Sequence, residues 1–164
     1  MIAARYNASP EVITTLINAG ADIDARDEVG DSSFIKAVRW KNNPEVITTL
    51  IIAGADIHTR DIDGKTPLIR AAFSNSNPEV IETLAKSGAD VNAIDVNAID
   101  VNGWTPLMEA AGYNSNPEVI ITFLQLGANP KTKNRFGYMA IDYARQNEDL
   151  KNTEAFWKLN DVSY

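Results

Sequence analysis

The chain has 164 residues, a formal charge of −7 and a hydrophobic content of 45%, values that suit one globular domain. The acidic excess argues against binding to nucleic-acid phosphates or an anionic membrane surface, because both need a basic face. No cysteine is present, which excludes disulfides, cysteine-ligated zinc and thiol catalysis. We expect no nucleic-acid and no membrane partner, and a cytoplasmic location, since a chain without cysteine suits a reducing compartment.

Short phrases recur along the chain in a fixed register. The phrase Pro-Glu-Val-Ile begins at Pro10, Pro44, Pro78 and Pro117, at spacings of 34, 34 and 39 residues. The phrase Gly-Ala-Asp or Gly-Ala-Asn begins at Gly20, Gly54, Gly88 and Gly127. Thr-Pro-Leu begins at Thr66 and Thr105, and Ser32-Ser33-Phe34 holds the same place one repeat earlier. Such self-similarity is typical of stacked repeats, in which each unit buries its apolar face against its neighbours.

The unit from 61 to 95 predicts two helices and an extended arm. Thr66 is a suitable N-cap before Pro67, and Asn77 is a suitable N-cap before Pro78, because proline is tolerated at the first helical position. Ser9, Asn43 and Asn116 precede the equivalent prolines, so we expect the same cap in every unit. Gly88 is expected to end the second helix in a left-handed conformation.

These residues resemble the ankyrin repeat family. The match is carried by Gly64, Thr66-Pro67-Leu68, Ala71-Ala72 and Gly88-Ala89-Asp90-Val91-Asn92-Ala93. The resemblance implies an all-α fold: an ankyrin repeat solenoid of stacked helix-loop-helix units with hairpin arms. The period also suits tetratricopeptide repeats, but their Trp-Leu-Gly-Tyr signature is absent. The histidine usual in the ankyrin family is replaced by Ile35, Ile69, Met108 and Asp142, so its hydrogen bonds between repeats must be absent or replaced.

We expect one ankyrin repeat domain over 1–164. Its units are a truncated unit over 1–26, then 27–60, then 61–99 with a five-residue insertion, then 100–133, and a C-terminal cap over 134–164. Because Ala3-Ala4 aligns with Ala71-Ala72, the chain begins near the end of a first helix. Two readings follow: the chain is a fragment of a longer array, or the short first unit is a minimal natural cap.

The insertion is a duplication, since Asp90 to Ile94 is repeated as Asp95 to Ile99. One reading is a replication slip or an engineered duplication that loop closure tolerates at little cost. The other is a projecting finger that adds binding surface. In either case a shift of five residues reverses the alternation of a lengthened strand, which favours a bulge. We expect 91–100 to protrude and the repeats on either side to stack normally.

No constellation of catalytic residues is present. The one histidine, His58, is expected to be an exposed arm residue, and the recurring aspartates suit turn chemistry. Asp100, Asn102, Gly103 and Glu109 match four positions of a calcium-binding EF-hand loop, but Ala98 occupies its first position and Pro106 falls inside it. We predict a non-enzymatic chain without a cofactor or a metal site.

The family resemblance implies that a partner binds at the hairpin tips and on the concave face of the inner helices. Aromatic residues and arginines, which are enriched in interfaces, also fall at these positions. The predicted partner-binding residues are Arg39, Trp40, Lys65, Arg70, Phe73, Trp104, Glu109, Tyr113, Phe136, Tyr138 and Tyr143. We expect Trp104 and Tyr113 to be exposed, although some of these aromatic rings could instead pack between repeats.

The sequence therefore favours a monomeric scaffold that binds a protein partner of some basic character, given the charge of −7. Two alternatives stay open. The chain could be a fragment or an engineered ankyrin array with no native partner, as the duplication suggests. It could also be an accessory binding module of a larger protein.

Overall fold

The computed structural model describes residues 9–40, 43–93 and 102–163. These residues form nine α-helices and one short 3₁₀-helix over Glu148–Leu150. In chain order the α-helices are α1 (Pro10–Asn18), α2 (Ser33–Trp40), α3 (Pro44–Ile52), α4 (Pro67–Ser74), α5 (Pro78–Lys86), α6 (Pro106–Tyr113), α7 (Pro117–Gln125), α8 (Ala140–Ala144) and α9 (Glu154–Ser163). The described part of the chain contains no β-strand, which confirms the predicted all-α fold.

The helices stack in two parallel rows. The inner row contains α2, α4, α6 and α8, and the outer row contains α1, α3, α5, α7 and α9. Equivalent helices of consecutive units pack against each other, and the two helices of a unit also pack together in the four units from α2 to α9. The core lies between the rows, where small residues such as Ala71 and Ala72 on α4 are fully buried. These alanines let neighbouring inner helices approach closely.

Capping residues set most of the helix starts. The Thr66 hydroxyl accepts a hydrogen bond from the Ile69 backbone N–H at 3.3 Å, and the Asn77 side chain accepts from Glu79 at 3.0 Å. Asn43 and Asn116 cap in the same way. The prediction for Ser9 was wrong, because its side chain makes no capping bond. Its hydrogen bond goes instead to Glu11 and lowers the pKa of that carboxyl.

Glycine follows the ends of α1, α3, α5 and α7, and the prediction for Gly88 is confirmed. Gly88 has φ 103°, and the N–H of Ala89 reaches back to the Leu84 carbonyl at 3.0 Å. This pattern is that of a Schellman C-cap, which satisfies a carbonyl that the helix leaves without a partner.

The predicted arms are present as tight hairpins. In one of them the Asp61 N–H donates to the Lys65 carbonyl at 3.2 Å. The Asp61 side chain also accepts from the N–H groups of Asp63 and Lys65, at 2.9 and 3.0 Å. His58 lies exposed in the arm before this turn, as predicted. The recurring aspartates therefore organise the turns, and each turn fixes the side chains that point over the inner helices.

A ladder of asparagines links consecutive inner-row units. The side-chain amide of Asn75 donates to the Val38 carbonyl at 2.8 Å, and that of Asn114 donates to Ala72 at 2.9 Å. Asn147 continues the ladder with a bond of 3.2 Å to Ala111. These bonds between repeats are present in a chain that lacks the histidine usual in the family.

The five-residue insertion leaves the neighbouring repeats stacked. Helices α4 and α6 pack against each other across it, as expected. The protrusion expected over 91–100 lies mostly outside the described residues, as do residues 1–8 of the truncated first unit expected over 1–26. At the other end α9 packs on α7 and α8, with Leu159 fully buried and Trp157 exposed.

Candidate partner-binding surface

In α2, α4 and α8, one position of the inner helix contacts the first residue of its own hairpin turn. Lys36 on α2 forms an ion pair with Asp27, and Arg70 on α4 forms one with Asp61. In the last unit the pair is uncharged: the Asn134 amide donates to the Tyr143 hydroxyl at 2.6 Å. The turn and the inner helix are thus tied together, which holds the surface between them in one shape.

Glu109 is the acidic residue at this position of α6. It occupies on α6 the position of Lys36 and Arg70, and it is 2% exposed. Its carboxylate is paired with the ammonium of Lys65, which comes from the hairpin of the preceding unit. Glu109 was predicted as a partner-binding residue, and the structure places it beneath Lys65, where its first role is to hold that side chain.

Five aromatic rings form a continuous cluster on the adjoining surface, which we call the aromatic patch (Phe73, Trp104, Tyr113, Tyr138 and Tyr143). The Phe73 and Tyr113 ring centres are 5.0 Å apart. Trp104 is stacked at 5.8 Å on Tyr113 and lies 4.1 Å from Tyr143. Tyr138 meets Tyr143 edge to face at 6.1 Å. The patch spans three consecutive units, and its members were all predicted as partner-binding residues.

The rings differ in exposure. Tyr113 is 57% exposed, as predicted, and Tyr138 and Phe73 are exposed as well. Trp104 is only half-buried and packs against the core, so the prediction that it is an exposed residue was wrong. The reason is contact with neighbouring rings: the centre of the Trp104 ring lies 4.1 Å from that of Tyr143 and 5.8 Å from that of Tyr113.

Burial and charge shift two pKa values on this surface. Burial raises the pKa of Tyr143 above its ordinary value, and the hydrogen bond from Asn134 opposes this only in part. Burial lowers the pKa of Arg70, but Asp61 and Asp63 more than compensate and the pKa is raised overall. Tyr143 therefore stays neutral and Arg70 stays charged at neutral pH.

The remaining predicted residues flank the aromatic patch. The Arg39 guanidinium lies 5.4 Å from the Trp40 ring centre, and it donates to Asp31 at 2.9 Å. Trp40 is 55% exposed. At the other end, Arg135 lies 5.0 Å from the centre of the exposed Phe136 ring. Arg39 and Trp40 sit two units away from Trp104, so the predicted residues form one cluster with outlying members.

Sequence reasoning missed the inter-repeat role of the asparagines. No role was predicted for Asn75 or Asn114. In the structure each side-chain oxygen accepts from the backbone N–H two residues ahead, and each side-chain amide donates to a carbonyl of the previous repeat. A signal was present, since asparagine recurs at 75, 114 and 147, at spacings of 39 and 33 residues.

Comparison with known protein families shows which family the chain belongs to. A family model described as ankyrin repeats (3 copies) matches residues 1–95 and 34–134. The chain belongs to the ankyrin repeat family. A comparison with curated proteins gave no match.

Ankyrin repeats are generally protein–protein interaction modules, and the family typically consists of non-enzymatic scaffolds. Two further observations concern the described residues of this ankyrin chain. None of their helices is both long and apolar enough to cross a bilayer. No three histidine, aspartate or glutamate side chains among residues 9–40, 43–93 and 102–163 are grouped as metal ligands. The near match to a calcium loop includes Asp100, which lies outside this range.

Proposed function

We propose that this ankyrin chain binds a protein partner through the aromatic patch and the hairpin residues beside it. The observation that best supports this proposal is the continuity of the patch. Its rings contact one another across three units, with distances of 4.1 to 6.1 Å between ring centres. Aromatic residues dominate the energetics of protein interfaces, because large rigid rings bury much area at little entropic cost.

Preorganisation supports this assignment. The hairpins are held by Asp61 and Asn134, whose side chains each accept backbone N–H groups within the turn. Ion pairs and the bond between Asn134 and Tyr143 then fix the inner helices to the turns. A surface ordered before binding loses little conformational entropy on association.

The charges on this face are largely neutralised within the chain. Lys36, Arg70 and Lys65 each pair with a carboxylate of the described residues. The partner therefore meets rings and hydrogen-bonding groups at the centre, and the net charge of −7 acts at longer range. Such a field speeds the approach of a basic partner more than it strengthens the complex.

Affinity capture with matched variants tests the proposal. Tyr113→Ala and Tyr138→Ala remove two exposed rings of the aromatic patch, and Trp157→Ala removes an equally exposed ring on α9. A protein retained by wild type and Trp157→Ala, but lost from both tyrosine variants, supports binding through the patch. A partner that all four chains retain equally contradicts it.

A further inference from the structure

We infer that the aromatic patch binds a proline-rich segment of the partner in the polyproline II conformation, an extended left-handed helix without internal hydrogen bonds. This inference rests on the proposed function and names the chemistry that the partner presents. Three features of the patch support it: the rings form a row, the polar groups are able to donate hydrogen bonds, and the patch carries no charge.

The rings of the patch form a row and do not enclose a single pocket. Among the described residues no ring of the patch contacts more than two others, and neighbouring ring centres are 4.1 to 6.1 Å apart. A polyproline II helix advances about 3.1 Å per residue, so one step along the row corresponds to one or two residues of such a helix. Proline rings can therefore lie against successive aromatic rings, and the stiffness of the helix keeps the entropic cost of binding low.

The polar groups of the patch need hydrogen-bond acceptors from whatever covers them. The indole N–H of Trp104 can only donate. It is open to solvent and bonds to none of the residues that the structure describes. The hydroxyls of Tyr113 and Tyr138 also have no hydrogen-bond partner among those residues. A partner that covers these groups must supply acceptors, because burying a donor without an acceptor is strongly unfavourable.

The hydroxyl groups of the patch are close together and uncharged. Burial raises the pKa of Tyr143, and the nearby phenols of Tyr113 and Tyr138 raise it further. The Tyr143 hydroxyl accepts from Asn134 at 2.6 Å and keeps its own proton to donate. The donors are thus grouped within reach of one short, uncharged peptide segment.

Other modes of peptide recognition suit this surface less well. Addition of a β-strand needs an exposed sheet edge, and the described residues contain no β-strand. An amphipathic helix has its carbonyls bonded internally, so it would cover the Trp104 N–H without offering an acceptor. Acidic motifs are bound by clusters of arginine, whereas Arg39 and Arg70 are each paired with an aspartate.

Proline also suits the donors better than other extended segments do. Every carbonyl of a polyproline II helix is free to accept a hydrogen bond, since the helix has no internal bonds. Proline has no backbone N–H, so the segment brings no donors that would need acceptors on the patch. A cationic side chain can stack on aromatic rings, but it offers no acceptor to the indole N–H of Trp104.

Binding of a blocked decaproline peptide tests the inference, with a flexible glycine-serine peptide and decalysine, both of the same length, as controls. The readout is the indole N–H resonance of Trp104, measured at about 0.5 M salt to screen the net charge of the chain. Its assignment follows from its loss in Trp104→Phe or, if that chain does not fold, from exclusion with Trp40→Phe and Trp157→Phe. We expect decaproline to shift this resonance downfield and to leave that of Trp157 in place.

Variants of the patch separate the two kinds of contact. Tyr113→Ala removes a ring and should weaken decaproline binding at least about tenfold. Tyr138→Phe keeps the ring and removes the hydroxyl, so it should weaken binding about threefold to tenfold. Trp157→Ala, which removes an exposed ring on α9, should bind as wild type does.

A Trp104 resonance that decaproline leaves unmoved overturns the inference, as does an equal shift with the glycine-serine peptide or with decalysine. Equal affinity of wild type and Tyr113→Ala for decaproline overturns it too. If decaproline does not bind while the tyrosine variants still lose their captured protein, the patch binds a partner of another chemistry and the proposed function stands. If those variants also retain the protein, the proposed function falls as well.

Discussion

The side-chain amide of Asn114 donates to the backbone carbonyl of Asn75 in the preceding repeat, at 2.9 Å. The same amide also reaches the Ala72 carbonyl at 2.9 Å, while the Asn114 side-chain oxygen accepts from the Asn116 N–H at 2.9 Å. Asn147 repeats the relationship one unit later, with bonds to Ala111 and Asn114. Because Asn114 is buried, water cannot replace these partners, and the side chain joins adjacent repeats where hydrophobic packing alone would not fix their register.

Replacing Asn114 tests how much the asparagine ladder contributes to the stability of the fold. Asn114→Ala leaves two buried carbonyls and one N–H without their partner, and we expect a loss of about 2–4 kcal/mol in the free energy of unfolding. Urea denaturation followed by circular dichroism measures it. The adjacent exposed residue provides the control, since Ser115→Ala should change stability by less than about 0.5 kcal/mol. Similar losses in both variants would mean that the ladder contributes little.

Alanine substitutions at Trp104 and Tyr113 should differ in how much they lower the free energy of unfolding. Tyr113→Ala removes a ring that is 57% exposed, so we expect the free energy of unfolding to fall by less than about 1 kcal/mol. Trp104→Ala removes a half-buried ring that packs on Tyr143 at 4.1 Å, and we expect a loss of about 2–4 kcal/mol. Thermal unfolding distinguishes the two, and an equal loss in both variants would show that Tyr113 also belongs to the core.

The local parts of the fold could be predicted from the sequence. Helix starts at Pro67 and Pro78 follow from a capping residue before a proline, and the helix end at Gly88 follows from the freedom of glycine at positive φ. These rules act over three or four residues, so the sequence contains all the information that they need. Ser9 shows their limit, because a hydroxyl has several possible partners and the structure gives it to Glu11.

The missed features all depend on contacts between units. Trp104 is half-buried because its ring packs against Tyr143 of the next unit, with the ring centres 4.1 Å apart. Glu109 is buried because Lys65 arrives from the preceding hairpin. These contacts join residues 39 and 44 positions apart, and periodicity does not show which side chain of a neighbouring unit will cover a given position.

Two glycines should respond oppositely to alanine. Gly88 has φ 103° with open space around it, so Gly88→Ala meets only backbone strain and should cost about 1–2 kcal/mol. Gly112 lies in α6 without a positive φ, and an added Cβ would meet Trp104 and Tyr143 at 3.6 and 3.7 Å, which is ordinary contact. Gly112→Ala should therefore gain up to about 1 kcal/mol from helix propensity. Chemical denaturation of the two variants checks both signs, and a gain at Gly88 would contradict the C-cap.

The ion pair of Asp27 and Lys36 should stabilise the fold at neutral pH and lose this effect in acid. The hydrogen bond from Lys36 is the largest of the effects that hold the pKa of Asp27 below its ordinary value of 3.8. Because the folded state has the lower pKa, the unfolded chain binds the proton first as the pH falls. The stabilisation is present above the unfolded pKa and is lost as the pH falls through the folded pKa.

Lys36→Met isolates this contribution. The melting temperature of wild type should exceed that of Lys36→Met most clearly between pH 5 and 7, and the gap should close as the pH falls below about 4. Other carboxyl groups titrate in both chains and cancel in the difference. Lys86→Met serves as the control, because its pair with Glu82 is exposed on α5 and contributes little at any pH. A gap of constant size from pH 7 to pH 3 would show that Lys36 acts through packing of its stem and not through the charge of Asp27.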